Sequence, residues 1–428
     1  MDERDYDEDR MERALHRLER EQGISRRQLL RAGAAAVPLL AGLGRGAAAP
    51  PWARAQSPAP PAATGGPIVK PLPPDWFTPL GTNAEMRWDA AARLGYEVPA
   101  ERFFVRNHTA TPAIDAATWR LRIFGSGLRR RPGRPDVAEF SLADLRRLPS
   151  RTQTAFIECA GNGRSFFASQ QGTPAAGTQW RLGAVGVARW RGVPLGELLE
   201  RAGLSRTAVD VMPQGLDANV VSGGVDQGRV RRPLPVGKAL DDVLVAYEMN
   251  GRPLPPDHGF PARLVVPGWI GIASVKWLGQ VEVSDQPLLS PWNTTSYRLT
   301  GPSYPPDSPP ITRQVVKSAF ELPWGAQLPR RRLALLSGRS WSGGGAPIRS
   351  VDVSTDGGAS WRPALLHGRN APNAWVRWSV PWLPREAGPT ELLARATDWR
   401  GERQPATVPF NDNGYLFGAV VRHPVTVA

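Results

Sequence analysis

The chain carries a single cysteine, in the stretch FIECAGNGRSFF from Phe156 to Phe167. A lone cysteine can fill an apolar core, attack as a nucleophile, or bind a metal as a soft thiolate. The apolar run TAFIE delivers Cys159 to a glycine-containing loop, CAGNGR, where the backbone is free to approach a bulky ligand. Arg164, a few residues on, favours an anion or a thiolate nearby. A nucleophile needs a base, and no histidine lies close in sequence; His108 and His258 can approach only through the fold. By itself the stretch leaves all three roles open. The cysteine count does exclude other chemistry: an intramolecular disulfide, an iron–sulfur cluster and the C-x-x-C-H attachment of a c-type haem.

The elements that must position these residues fall into two regions. Residues 76–305 mix short apolar runs with brief helical stretches. WRLRIFG and TAFIEC read as strands, SLADLRRLP and PLGELLERAGL as short helices. RLVVPGWIGIASVKWLGQVEV is glycine-punctuated and β-branched, which predicts strands and turns rather than one long helix. This region is expected to be α+β. The proline-rich TGPSYPPDSPP (300–310) marks a boundary. Beyond it, SVDVSTDGGASWRPALL is two alternating runs joined at Asp356-Gly357-Gly358, a hairpin signal. NAWVRWSVPW and ELLARATDW extend a set of short strands, so residues 306–428 are expected to form an all-β, immunoglobulin-like sandwich.

The N-terminus is a different kind of segment. Arg26 and Arg27 precede an Ala/Leu/Gly-rich stretch and a small-x-small site at Ala53, Arg54 and Ala55. Residues 1–55 therefore read as a twin-arginine export signal, with retention as an uncleaved anchor the alternative, and they imply the export machinery as a partner and the periplasm as destination. That route carries folded proteins, which suits one that receives a cofactor before export. Residues 56–75 read as a Pro/Ala-rich linker. The formal charge of +14 does not indicate a nucleic-acid binder, because it is arginine spread along 428 residues with only four lysines.

Several segments together resemble the sulfite oxidase family of molybdenum enzymes. CAGN resembles its metal-ligand loop, and FFVRNH (103–108) its early cofactor-binding strand. GLDAN (215–219), AYEMNGRPLPPDHGFPARLVVPGWIGIASVKWL (246–278), YR at Tyr297, SGGG (342–345) and SVDVSTDGGASW (350–361) follow in the family's order. The resemblance implies that Cys159 is the protein thiolate on molybdenum, beside the dithiolene of one molybdopterin. It places Arg106, Asn107, His108, Asp217, His258, Arg263, Ser274 and Lys276 around the pterin and its phosphate. Arg106, Arg164, Trp180 and Tyr297 would line the site of a sulfite-like oxyanion. The implied activity is oxidation of sulfite, or a related sulfur compound, to sulfate. With no haem expected in this chain, electrons would pass to an external c-type cytochrome. The C-terminal sandwich resembles a domain that makes homodimers in relatives.

Two positions depart from the pattern. Many eukaryotic members read C-A-G-N-R-R where this chain has Gly163, and carry an arginine after the glycine run where this chain has Ala346. A charged hydrogen bond contributes about 1.5–3 kcal/mol. Either Arg339 or Arg349 compensates, or the substrate is not plain sulfite. Sulfane dehydrogenases, which share the fold and act on carrier-bound sulfur, are the nearest alternative; reductases of S-oxides or nitrate are more distant. A secreted β-sandwich binding module with an inert cysteine is the alternative outside enzymes.

Overall fold

The computed structural model describes residues 67–129 and 136–428. The segment read as an export signal, and most of the linker, lie outside the described residues. The linker's end is part of the fold: Val69 and Lys70 donate their backbone N–H groups to the Asp257 carboxylate at 2.9 and 2.7 Å. Ile68 and Leu72 pack beside Phe77, Ala84 and Val105. A proline-rich stretch lacks periodicity but can still be held by a buried carboxylate that needs N–H donors.

Two five-stranded sheets organise the first region. One runs in the order Leu234–Pro235, Asp210–Gly215, Leu278–Ser284, Arg120–Phe124 and Val137–Ser141. Its only parallel pairing sets Val281 beside Ile123. Alternation explains the burial: Leu121 and Ile123 are inaccessible while Arg120 is exposed. The other sheet pairs Arg151–Glu158 with Val185–Pro194, and that strand with Leu244–Met249, which also takes Arg252–Pro253 and Arg263–Val265. The Arg151–Glu158 strand enters exposed and ends buried, so its last residues push inward to Cys159. The two expected helices form as Leu142–Arg147, closed by a Ser141–Asp144 capping box, and Leu195–Ala202, ended by Gly203 in the left-handed region at φ 96°.

The last region is a two-sheet β structure. Lys317–Phe320, Ala334–Trp341, Trp375–Trp382 and Leu365–His367 make one sheet. Ala326–Leu328, Arg422–Val427, Gly388–Asp398, Ile348–Ser354 and Arg362–Pro363 make the other. Val351, Val353, Val376, Trp378, Leu392 and Ala394 fill the space between them. The hairpin at Asp356 forms, with Ser354 and Ser360 hydroxyls donating to its carboxylate. Ala326–Leu328 runs parallel to Arg422–Val427.

Candidate active site

Cys159 stands where two spaces meet. An inner pocket with about 710 Å³ of empty space, part of it open to solvent, is lined by Phe103, Arg106, His108, Cys159, Asp217 and Lys276 among others. An outer cleft of about 1180 Å³ shares Arg106, His108, Cys159 and Tyr297 with it, and adds Arg164, Trp180, Trp292 and Tyr415. All twelve residues singled out from the sequence line one space or both: Asn107, Asp217, His258, Arg263, Ser274 and Lys276 the inner, Arg164 and Trp180 the outer, and Arg106, His108, Cys159 and Tyr297 both.

The cysteine is held by its own backbone. Its N–H donates to the Ala184 carbonyl at 2.9 Å and its carbonyl accepts from Asn162 N–H at 2.9 Å. The thiol is free and 8% exposed. Among the described residues no group of three or more His, Cys, Asp or Glu side chains could hold a metal. A metal at Cys159 would therefore complete its ligand set from something other than a protein cluster.

The inner cavity is built for a molecule with both a phosphate and amino donors. Arg263 and His258 are buried and Lys276 is half-buried beside them, and desolvation is the first influence on their protonation. Desolvation holds Lys276 well below the usual lysine range and brings Arg263 down to about 9. A bound anion would relieve that cost. His258 is neutral for the same reason, aided by Lys70, Lys276 and Arg263. Its Nε2 lies 3.0 Å from the Ala100 carbonyl, which assigns the ring proton there. The Arg263 guanidinium is fixed by the carbonyls of His258 and Ser274 at 3.0 and 2.9 Å. Lys276 donates to the Asn107 side-chain oxygen and, at 2.8 Å, to the Asp257 carbonyl. Asp217 is the counterpart: 2% exposed, with Oδ1 lacking a hydrogen-bond partner, it has its pKa pushed up by burial to about 7. An unpartnered carboxylate oxygen near Lys276 and Arg263 fits a pterin ring bearing amino groups and a phosphate.

FFVRNH was expected to be a strand and is not one. A single bridge, Ala84 to Val105, carries it. The Asn107 N–H is taken by the Asn83 side chain at 3.0 Å, which interrupts any ladder. Its irregular backbone lets Arg106 face the cysteine, with Nη1 on the Asn107 carbonyl at 2.6 Å and Nη2 2.9 Å from His108 Nε2. Desolvation, then Arg106 and Lys276, keep His108 well below the usual histidine pKa.

In the outer cleft Arg164 is locked. Its Nε donates to the Asn413 carbonyl and its Nη1 to the Thr178 carbonyl, both at 2.7 Å. Three glycines make room for it: a Cβ at Gly161 would lie 2.6 Å from its Nη2, one at Gly177 2.9 Å from Nη1, and one at Gly414 2.6 Å from Cγ. Tyr297 adopts a left-handed backbone, φ 57°, rare for a side chain of its size. Burial holds its phenol far above the usual tyrosine pKa, so it is a hydrogen-bond donor. Trp180 is fully buried, part wall and part core.

Neither arginine offered as a substitute reaches the cleft. Arg339 is fully buried, pairs with Glu321, and donates to the carbonyls of Gly95, Ala91 and Leu94. Arg349 lines neither space and is exposed on the outer side of its strand. Gly163 has φ 94°, and a Cβ there would meet Phe417 at 3.0 Å rather than open cleft. Sequence reasoning missed Asp257, although it stands beside His258 in the quoted block, and Tyr415, which reaches the cleft from the far end of the chain.

Residues 108–292 match the oxidoreductase molybdopterin binding domain, and residues 316–427 the Mo-co oxidoreductase dimerisation domain. The chain is 40% identical to sulfite oxidase of Gallus gallus over 329 residues, covering 72% of this chain and 68% of that protein. It is 36% identical to the mitochondrial sulfite oxidase of Mus musculus, covering 78% of this chain and 62% of that one. Thus it spans about two thirds of the length of these relatives. Among solved structures, the sulfane dehydrogenase SoxCD of Paracoccus pantotrophus superposes with a TM-score of 0.68 at 30% identity, over 87% of this chain and 94% of that one.

Proposed function

Since the chain belongs to the sulfite oxidase family of molybdopterin-dependent oxidoreductases, we propose that it oxidises sulfite or a related sulfur compound to sulfate after export to the periplasm through the twin-arginine route. The observation that carries this reading is the position of Cys159, where an inner cavity lined by Asp217, Arg263 and Lys276 meets an outer cleft lined by Arg106 and Arg164. When bound, the molybdenum cofactor supplies two-electron oxygen-atom transfer. The chain's own residues do the rest. Cys159 gives a thiolate; Asp217, Lys276, Arg263 and His258 hold the pterin and its phosphate. Arg106 and Arg164 bind the oxyanion and fix its orientation, and Tyr297 donates a hydrogen bond to it. The aromatic walls at Trp180, Trp292 and Tyr415 limit water around the bound anion. An external c-type cytochrome is the proposed electron acceptor, and an acidic surface on it would suit this basic chain.

We also propose a homodimer through the C-terminal domain. The match to a dimerisation domain supports it, as do the exposed Leu335 and Leu365 on one outer sheet.

A second reading has its own support. The outer cleft opens to solvent, and two valines, Val221 and Val225, stand exposed on the hairpin at its rim. A sulfur group carried at the end of a larger molecule, as for a sulfane dehydrogenase, fits such a mouth. The deciding experiment is molybdenum and pterin content, together with turnover of sulfite by cytochrome c. Metal-free protein from a host competent in cofactor synthesis would refute the enzyme reading. Metal-loaded protein inactive on sulfite would favour the carrier-bound substrate.

A further inference from the structure

The C-terminal domain sends a short segment, residues 411–416, back into the outer cleft. Asn411 ties it into a loop: its side chain donates to the Tyr415 carbonyl at 2.9 Å and accepts the Tyr415 N–H at 2.8 Å. The Leu416 N–H donates to the Ala160 carbonyl at 2.8 Å, directly beside the cysteine. Within this segment the Asn413 carbonyl receives Arg164 Nε, and Gly414, at φ 57°, leaves the space that the Arg164 stem occupies. Tyr415 completes the arrangement. Its ring stacks on Tyr297 at 5.1 Å and 13°, and the Arg164 guanidinium carbon lies 5.5 Å from its centroid. It lines the same cleft as Cys159, Arg106 and Arg164. Burial, opposed by Arg164 and a hydrogen bond from the Tyr297 backbone, keeps the phenol protonated.

We propose that Tyr415 is a further substrate-binding residue: its hydroxyl donates to the oxyanion held by Arg106 and Arg164, and its ring fixes Arg164. The cleft is thus complete only when the C-terminal domain is docked. Where an arginine from that domain is lacking, a neutral donor takes part in anion binding, which suits a substrate of lower charge or one carried on a larger group. This inference rests on the oxyanion reading of the cleft.

Calorimetric titration of the molybdenum-loaded enzyme with sulfate, the product-like anion, tests it. Tyr415→Phe keeps the ring and removes only the hydroxyl. It should weaken sulfate binding about tenfold, the scale of a hydrogen bond to a charged group, with the loss in KM for substrate larger than that in kcat. Tyr415→Leu, which also frees Arg164, should weaken it further. Melting temperature and molybdenum content of the Phe variant should match the parent, which separates anion binding from a merely structural role. Parental sulfate affinity in Tyr415→Phe, with affinity lost in Arg164→Gln, would overturn the assignment of Tyr415 alone. A parent enzyme that binds no sulfate, with Arg164→Gln no different, would overturn the oxyanion reading and Tyr415 with it.

Discussion

The Glu158 carboxylate, one residue before the cysteine, accepts a hydrogen bond from Lys317 Nζ at 2.7 Å across the domain boundary. Both side chains are almost wholly buried, at 0% and 5% exposure. The remaining valences of Glu158 are filled by Asn162 Nδ2 and Trp341 Nε1, each at 2.9 Å, and Lys317 also donates to the Asn162 carbonyl at 2.8 Å. Gln314 Nε2 caps the Glu158 carbonyl at 2.8 Å. The cysteine loop is therefore held from behind by the C-terminal domain, through a buried network in which the Glu158 carboxylate and the Lys317 ammonium are both partnered, while Gln314 Oε1 is left without a partner.

Removing one partner leaves the other charged and buried. Lys317→Met should lower unfolding free energy by about 3–5 kcal/mol, measured by urea denaturation. The double variant Lys317→Met with Glu158→Gln should recover much of that loss, because no uncompensated charge remains. Equal stability of single and double variants would mean the pair is solvated.

Asp217 makes stability depend on pH in the cofactor-free protein. Its folded pKa of about 7 lies above the ordinary 3.8, so between those values the folded state holds a proton that the unfolded state has lost. Stability therefore falls as pH rises through that window, and the full penalty, up to about 4 kcal/mol at 1.36 kcal/mol per unit, stands above it. Asp217→Asn should be more stable than the parent at pH 8 and no more stable below about pH 4. The same variant should retain less pterin, since it loses an acceptor for ring amino groups.

Cys159→Ser tests the thiolate directly. Serine is close in size, so the fold seen by circular dichroism should persist, while a hard hydroxyl is a poor replacement for a soft sulfur ligand. Turnover should be abolished with pterin largely retained. Substantial remaining activity would show that the thiolate is dispensable.

Much of this site was legible because local chemistry and local structure agree. TAFIE is an apolar run that enters the core and ends by presenting Cys159, and the glycines after it announce close packing. The Asp356 hairpin and the capped Leu142–Arg147 helix were visible for similar reasons. What escaped was set by contacts distant in sequence. Tyr415 sits in an Asn/Gly-rich turn, where a lone aromatic carries no period. Arg339 offers a charge to any reader, yet only the fold reveals that Glu321 and three carbonyls consume it. Lys317 lies in an apolar strand whose pattern gives no hint of Glu158.

The slot around Arg164 predicts the effect of a single methyl group. Gly161→Ala would place a carbon 2.6 Å from Arg164 Nη2, and Gly161 has no left-handed backbone that would add strain of its own. The guanidinium must shift while its Nε and Nη1 bonds resist. KM for an anionic substrate should rise about tenfold, from the partial loss of one charged hydrogen bond. Melting temperature should change little. An unchanged KM in steady-state assays would mean that Arg164 does not touch the substrate.

Gly163 is the position where restoring the eukaryotic arginine looks attractive and should fail. The backbone is at φ 94°, which a side chain rarely adopts, and the first carbon added would press on Phe417 at 3.0 Å. Phe417 is itself packed against Phe166 and Phe167, at 5.5 and 5.1 Å between ring centroids, so it has little freedom to retreat. The new charge would start from the aromatic cluster and not from the cleft wall. Gly163→Arg should therefore destabilise the protein by about 1–3 kcal/mol without lowering KM for sulfite. Thermal melting and steady-state kinetics on the same sample check both halves. A lowered KM with an unchanged melting temperature would show that the loop can turn, and that this glycine, more than the C-terminal segment, sets the charge of the pocket.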